Sequence, residues 1–290
     1  MPNWRTPVFE DSLMATVPAD ITAFAPLSPN GAQYTWLWDK AQPGTPSSRP
    51  YVPIIFFDPS VAAAEPSDTT QFLGDNYIVF RSDWSEDATY MLVLAQSAPR
   101  RLHRQPCQSS FQIYAKRAYL AIDPGYGHAN GDAIQNGKAH NLIGVDDLGT
   151  ARYHSVPSVV ASYANVRDPA TLQEHLSTSF CDFAGVEVHY DSYTPEPPGE
   201  EVELGISIFR NYLFPAKTYF VIADEVSSPE THDYQWYLHF GFDTEGQLQI
   251  DGSKAFWRTT NADGTEVELG AYFIAPEVEL SSTLSLSLIH

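Results

Sequence analysis

His103 stands among Arg100, Arg101 and Arg104, with Lys116 and Arg117 further along, so five of the sixteen Lys and Arg residues fall between positions 100 and 117. Guanidinium groups beside an imidazole disfavour its charged form and keep it available as a proton acceptor near pH 7. Arginine also captures carboxylates through a bidentate fork. A local positive pocket on an acidic body can focus anions onto such a base. Read locally, the same residues also describe a solvated basic strand end carrying an exposed histidine.

The body around that cluster is acidic, with a net charge of −20 over 290 residues. Nucleic acid is excluded as a partner, because phosphate binding needs a basic face. The chain is long enough to bury one large core. Its 43% apolar and 13% aromatic residues describe a folded protein. No run of eighteen apolar residues occurs, so no membrane span is expected. The opening Met1-Pro2-Asn3-Trp4-Arg5 lacks the basic-then-apolar pattern of a signal peptide. Two cysteines, Cys107 and Cys181, make no disulfide framework and leave the compartment open.

The elements that must position these side chains are strands. Residues 1–65 are rich in Pro, Ala, Ser and Trp, with one helical piece expected around Gly31–Lys40 and a loop over Gln42–Pro50. From Phe72 onward, β-rich runs follow one another: Tyr77–Phe80, Thr89–Ala95, Ser110–Ala115, Ala118–Ile122, Asn141–Val145 and Val186–Tyr190. They continue through Val202–Phe209, Tyr219–Ala223, Gln235–Phe242, Val267–Ile274 and Glu277–Leu288. Turn chemistry such as Asp243-Thr244-Glu245-Gly246 and Asn261-Ala262-Asp263-Gly264 separates them. The expected fold is all-β, a large antiparallel β-sandwich over residues 66–290 behind a short, partly helical segment over residues 1–65.

The order of pieces carries a resemblance. Gly74-Asp75-Asn76-Tyr77-Ile78-Val79-Phe80-Arg81-Ser82 leads to His103-Arg104-Gln105-Pro106-Cys107 and then to Ala121-Ile122-Asp123-Pro124-Gly125-Tyr126. An arginine strand (Ile208–Phe214), a strand ending in Asp (Tyr219–Asp224) and a strand closing in Leu238-His239 follow. This order resembles the C-terminal sandwich of the heparinase II/III-like polysaccharide lyases. The resemblance covers roughly Phe72 to Phe240.

That resemblance implies a lyase acting by β-elimination on an acidic, uronic-acid-containing polysaccharide in the periplasm or outside the cell. Elimination needs a base for the C5 proton, a group to offset charge on the carboxylate, and an acid for the leaving oxygen. It implies that His103 is the catalytic histidine, and that Arg100, Arg101, Arg104, Tyr126 and His239 contact substrate. For Tyr126 and His239, packing inside the sandwich is the alternative role. It further implies a zinc site built from Asp123, His140 and a second strand histidine. Gln105 occupies that last position, and a neutral amide is a poor zinc ligand. Cys107 could substitute if strand alternation keeps it on the same face, or be a small buried filler. Weak or absent zinc is therefore expected. The family's helical toroid, source of the acid and the carboxylate neutraliser, has no match in residues 1–65, which look like its remnant and connector. A non-catalytic glycan-binding or structural sandwich is the competing expectation.

Overall fold

A computed structural model of the chain describes residues 24–41, 57–74, 76–95, 107–123, 137–146, 170–193, 202–241 and 247–275, with Pro2, Ile55, Glu279 and Leu280. His103, the arginines at 100, 101 and 104, Gln105 and Tyr126 lie outside the described residues, as does most of the strand expected over Glu277–Leu288. One α-helix, α1 (Gly31–Ala41), falls where the composition places it.

Strands β1 (Gln71–Leu73), β2 (Tyr77–Arg81), β3 (Tyr90–Leu94), β4 (Phe111–Ala115) and β5 (Ala118–Ala121) form an antiparallel sheet in chain order. A second sheet contains β7 (Ala170–Ser177), β8 (Cys181–Tyr193), β9 (Val202–Pro215) and β10 (Val221–Ser227), again antiparallel between sequence neighbours. The short β6 (Ile143–Val145) pairs with β11 (Tyr234–Trp236), and β12 (Gln247–Asp251), β13 (Lys254–Thr260) and β14 (Glu266–Tyr272) make a three-stranded sheet. The architecture is the expected all-β sandwich.

The period-2 pattern of the sequence accounts for the layering. On β9, Leu204, Ile206, Ile208, Tyr212 and Phe214 are buried, and on β8 Ala184, Val186, Val188 and Tyr190 are. They share one core with Ile78, Phe80, Met91, Val93, Phe111 and Ile113 of the first sheet. The opposite face of that first sheet is also covered: Tyr90, Leu92, Leu94, Cys107 and Tyr114 form a second apolar cluster. β3 is therefore buried on both faces, which is why its sequence, Tyr-Met-Leu-Val-Leu, shows no polar alternation.

Two expectations change. Lys116 and Arg117 belong to the tight loop joining β4 to β5, both with positive φ (50° and 63°), as a type I′ hairpin requires. Arg117 is held there by the carboxylates of Glu86 and Asp263, so its guanidinium is committed to the fold. Cys107 is not on a strand at all. Its carbonyl accepts from the Ser110 amide at 2.8 Å, and Ser109 has a φ of 62°, so residues 107–110 form a turn leading into β4. The alternation that would have put Cys107 on one face with position 105 is absent.

Phe214, fully buried, stacks on Phe220 at 4.4 Å and meets Phe80 at 6.3 Å across the two sheets. Phe214→Ala is expected to lower unfolding free energy by about 3–5 kcal/mol in a urea titration. Phe180→Ser, at a side chain 74% exposed, is expected to change it by less than about 0.5 kcal/mol.

Candidate functional site

Four segments converge at one end of the core: the 107–110 turn, the end of β5, the His140-Asn141 pair, and the chain leaving β11. Asn141 joins them. It is fully buried, and its side-chain amide donates to the carbonyls of Phe111 (2.7 Å) and Ile122 (2.8 Å). Its Oδ1 accepts from the backbone amide of His239 at 2.6 Å, and its own amide donates to Ser110 Oγ at 3.2 Å. Because two carbonyls fix the amide orientation, Oδ1 is an acceptor, and His239 Nδ1 lies 3.3 Å from it.

The next residues lock the same place from the other side. Ala121 bridges to Phe240, and the Ile122 amide donates to the His239 carbonyl at 3.0 Å. This approach needs Gly241, where a Cβ would fall 2.2 Å from the Tyr119 carbonyl oxygen. It also explains why β11 ends at Trp236. Beyond Tyr237 the chain leaves β6 and runs against β5 instead, so the long strand expected over Gln235–Phe242 is divided between two partners.

Asp123 and His140 meet inside this frame. Asp123 Oδ2 lies 2.8 Å from His140 Nδ1 and 3.5 Å from Ser110 Oγ, and both residues are 0% exposed. A histidine held through one ring nitrogen by a carboxylate has a fixed orientation. His239 is beside the pair. Burial, and secondarily the neighbouring His140, push its pKa down to about 4, against smaller upward effects of Asp123 and the Lys138 carbonyl. The imidazole is therefore neutral at pH 7.

The sequence-derived residues thus divide. Asp123, His140 and His239 are brought together. Cys107 is kept apart from them, in the apolar cluster with Tyr90, Leu92, Leu94 and Tyr114. Among the described residues, no three of His, Cys, Asp and Glu come together in a group able to hold a metal ion. Zinc takes four ligands, commonly three or more from protein. Asp123 and His140 supply two, joined through Oδ2 and Nδ1, and among the described residues no third is grouped with them for a metal centre. Cys107 does not complete one, because the turn at Ser109 directs it into the second apolar cluster.

Two residues with large roles here were not singled out from sequence as site residues. One is Asn141. The other is Arg210, 0% exposed on β9, whose Nη1 donates to the carbonyls of Asn141 (3.1 Å) and Ser109 (3.3 Å). Asp224 on β10 pairs with Arg210 through bonds of 2.6 and 3.0 Å and also accepts from Trp236 Nε1 at 2.9 Å. Burial opposes the Arg210 charge, and the Asp224 carboxylate more than offsets this, so the guanidinium pKa lies above its usual value. A sequence signal existed: Arg210 occupies the inward parity of a stripe that is otherwise Leu204, Ile206, Ile208, Tyr212 and Phe214.

The depressed His239 pKa sets a pH dependence. The unfolded ring titrates near 6.5 and the folded one near 4. Between these values the unfolded state takes up a proton that the folded state refuses, so this stability is fully present above about pH 6.5 and is lost as pH falls towards 4. The loss is expected to reach at most about 3 kcal/mol. Denaturant unfolding against pH, compared between wild type and His239→Gln, reads it directly. Parallel curves between pH 6.5 and 4 would show that the ring is not buried neutral.

Residues 65–287 match the family described as heparinase II/III-like, C-terminal. Among curated proteins none matches. Among solved structures, the chain is similar to heparan sulfate lyase HepC from Pedobacter heparinus, with a TM-score of 0.64 and 17% identity over 92% of this chain and 36% of that one. A heparinase III gene product gives a TM-score of 0.61 and 19% identity over 92% and 35% of the two chains. A further heparinase III structure gives 0.57 and 12% over 93% and 43%. At these identities the structural likeness speaks to fold. The chain spans about 36% of the length of the HepC chain.

Proposed function

We propose that this chain, which belongs to the heparinase II/III-like C-terminal family, is the sandwich portion of a polysaccharide lyase acting on uronic-acid-containing polymers. The observation that carries the reading is the family match over residues 65–287. The convergence of Asp123, His140 and the neutral His239 next to the turn that follows the Arg100–Arg104 segment supports it.

In the proposed reaction His103 takes the C5 proton of the uronate, the C5 electron pair forms the C4–C5 double bond, and the C4–oxygen bond breaks. The leaving oxygen then needs a proton, and the carboxylate needs a cation or donor to offset its charge. Arg100, Arg101 and Arg104 are suited to binding the polymer's carboxylates, with Tyr126 and His239 as further substrate contacts. The acid and the neutraliser are assigned to a helical domain that HepC-sized chains have room for and residues 1–65 do not supply. A periplasmic or secreted location follows from the same reading. No helix among the described residues is long and apolar enough to cross a membrane.

A second reading, a glycan-binding sandwich without turnover, is favoured by one observation. Asp123 and His140 are 0% exposed and hydrogen-bonded to one another, which suits them to holding the fold and not to touching a polymer.

Zinc is expected to be weak or absent. Protein purified without chelator should contain well under one zinc per chain, and chelator should leave the melting temperature unchanged. Stoichiometric zinc that survives Cys107→Ser would overturn this expectation; zinc lost with that substitution would point to a cysteine-substituted site.

Activity separates the two readings. Binding to polyglucuronate, alginate or heparan-type chains should be measurable at low salt and weaken steeply with ionic strength. Elimination, followed by absorbance of the unsaturated uronate, should be very slow for this chain alone, since each missing group is worth about 10²- to 10⁴-fold. Robust turnover abolished by His103→Ala would mean the sandwich carries a complete site. Absence of binding at low salt would remove the glycan reading altogether.

A further inference from the structure

The geometry points to Arg210 as a positioning residue for this site: an internal cation that sets the distance between the turn following the arginine-rich segment and the His140-Asn141 pair. The inference rests on the proposed glycan-binding function, which it deepens.

Three observations carry it. First, Arg210 is the charged member of an apolar stripe in the sandwich core, and a buried guanidinium costs several kcal/mol unless every donor is used. Its Nε and Nη2 are used by Asp224 and its Nη1 by the carbonyls of Ser109 and Asn141. Second, the two carbonyls belong to separate segments, the 107–110 turn and the segment before β6, which one nitrogen draws together. The hydroxyl of Tyr212, the next inward residue on β9, donates to the same Ser109 carbonyl. Third, the grip continues to the imidazoles. Asn141, held through its carbonyl, presents Oδ1 to the His239 amide and ring, and His140 precedes it in the chain. The Arg100–Arg104 segment joins the turn through Gln105 and Pro106 alone.

A structural arginine would only stabilise. A positioning arginine must also change ligand affinity and local dynamics out of proportion to stability. The second sheet thereby reaches through the core to place groups on the first. The reach is specific to a planar fork: a lysine ammonium can pair with Asp224 or with the carbonyls, not with both in this arrangement.

The test uses the full chain. Arg210→Met combined with Asp224→Leu removes both charges together, which avoids stranding one ion. Arg210→Lys keeps the charge and carries the test if the double variant does not fold. Phe80→Leu, in the same core but paired with Met91 and packed against Phe214, serves as the stability control. The expected result is at least a tenfold loss of polyglucuronate affinity at low salt in the double variant and a smaller loss in Arg210→Lys. Phe80→Leu should stay within twofold of wild type at a comparable drop in melting temperature. Amide hydrogen exchange of Asn141 and His239 should accelerate at least tenfold in the Arg210 variants and not in the control. Affinity and exchange that track melting temperature alone across all variants would overturn the inference. If wild type does not bind the polymer, the glycan reading fails, and the Asn141 and His239 exchange rates then decide whether Arg210 positions them.

Discussion

A fully buried guanidinium sits at the centre of this sandwich, and the rest of the arrangement follows from satisfying it. Arg210 faces inward between Ile208 and Tyr212, where removal from water would be prohibitive for an unpaired charge. Asp224, its cross-strand partner on β10, supplies the counter-charge, and Trp236 donates to that carboxylate. The remaining donors need oxygens, and the opposite layer offers the carbonyls of Ser109 and Asn141. Apolar layers packed face to face can slide with modest penalty, but this contact ties the second sheet to two named carbonyls of the first. It fixes the layers in register as well as in separation.

Asn141 passes that constraint on. Its side chain satisfies backbone groups of β4, of the end of β5 and of His239, so the edge of the first sheet and the chain leaving β11 are joined through one residue. Removing it would leave buried carbonyls and an amide unpaired, each costing about 1–3 kcal/mol. A site assembled in this way is held by polar contacts whose geometry is narrow, unlike the surrounding Val, Leu and Phe packing.

Much of the fold was legible because alternation is a local property. β2, β3, β4, β5, β6, β8, β9 and β14 all lie on runs that the sequence marks, although β8 and β9 extend well beyond them. β7 was not marked: its sequence is polar over Gln173–His175, and a register shift between Leu172 and Glu174 breaks its period. β12 was not marked either: it alternates only Leu248 and Ile250 with polar residues and is exposed at every position. The run at Tyr219 begins too early, because Phe220 belongs to a turn and is aromatic for stacking on Phe214, not for pairing in β10. Asp123 and His140 were found through a family pattern and not through their own spacing. The hub role of Asn141 was invisible, since a buried asparagine and a loop asparagine read alike until their partners are known.

The burial of the cluster also limits what it can do. Asp123, His140 and Asn141 have no exposed surface, so they act on a polymer only by placing other groups. His239 is partly exposed and neutral, and its ring lies between Asn141 Oδ1 and the Lys138 carbonyl. On the proposed function, groups that meet an anionic chain directly would come from segments adjoining this frame in sequence, such as the arginine-rich run that precedes Cys107. On the proposed function, a single cationic run is a sensible arrangement for a protein of net charge −20. Attraction would then be confined to one place, with the acidic remainder repelling an anionic polymer elsewhere. Binding energy can then be directed to orientation at that place, where a histidine base needs its substrate proton within hydrogen-bond reach.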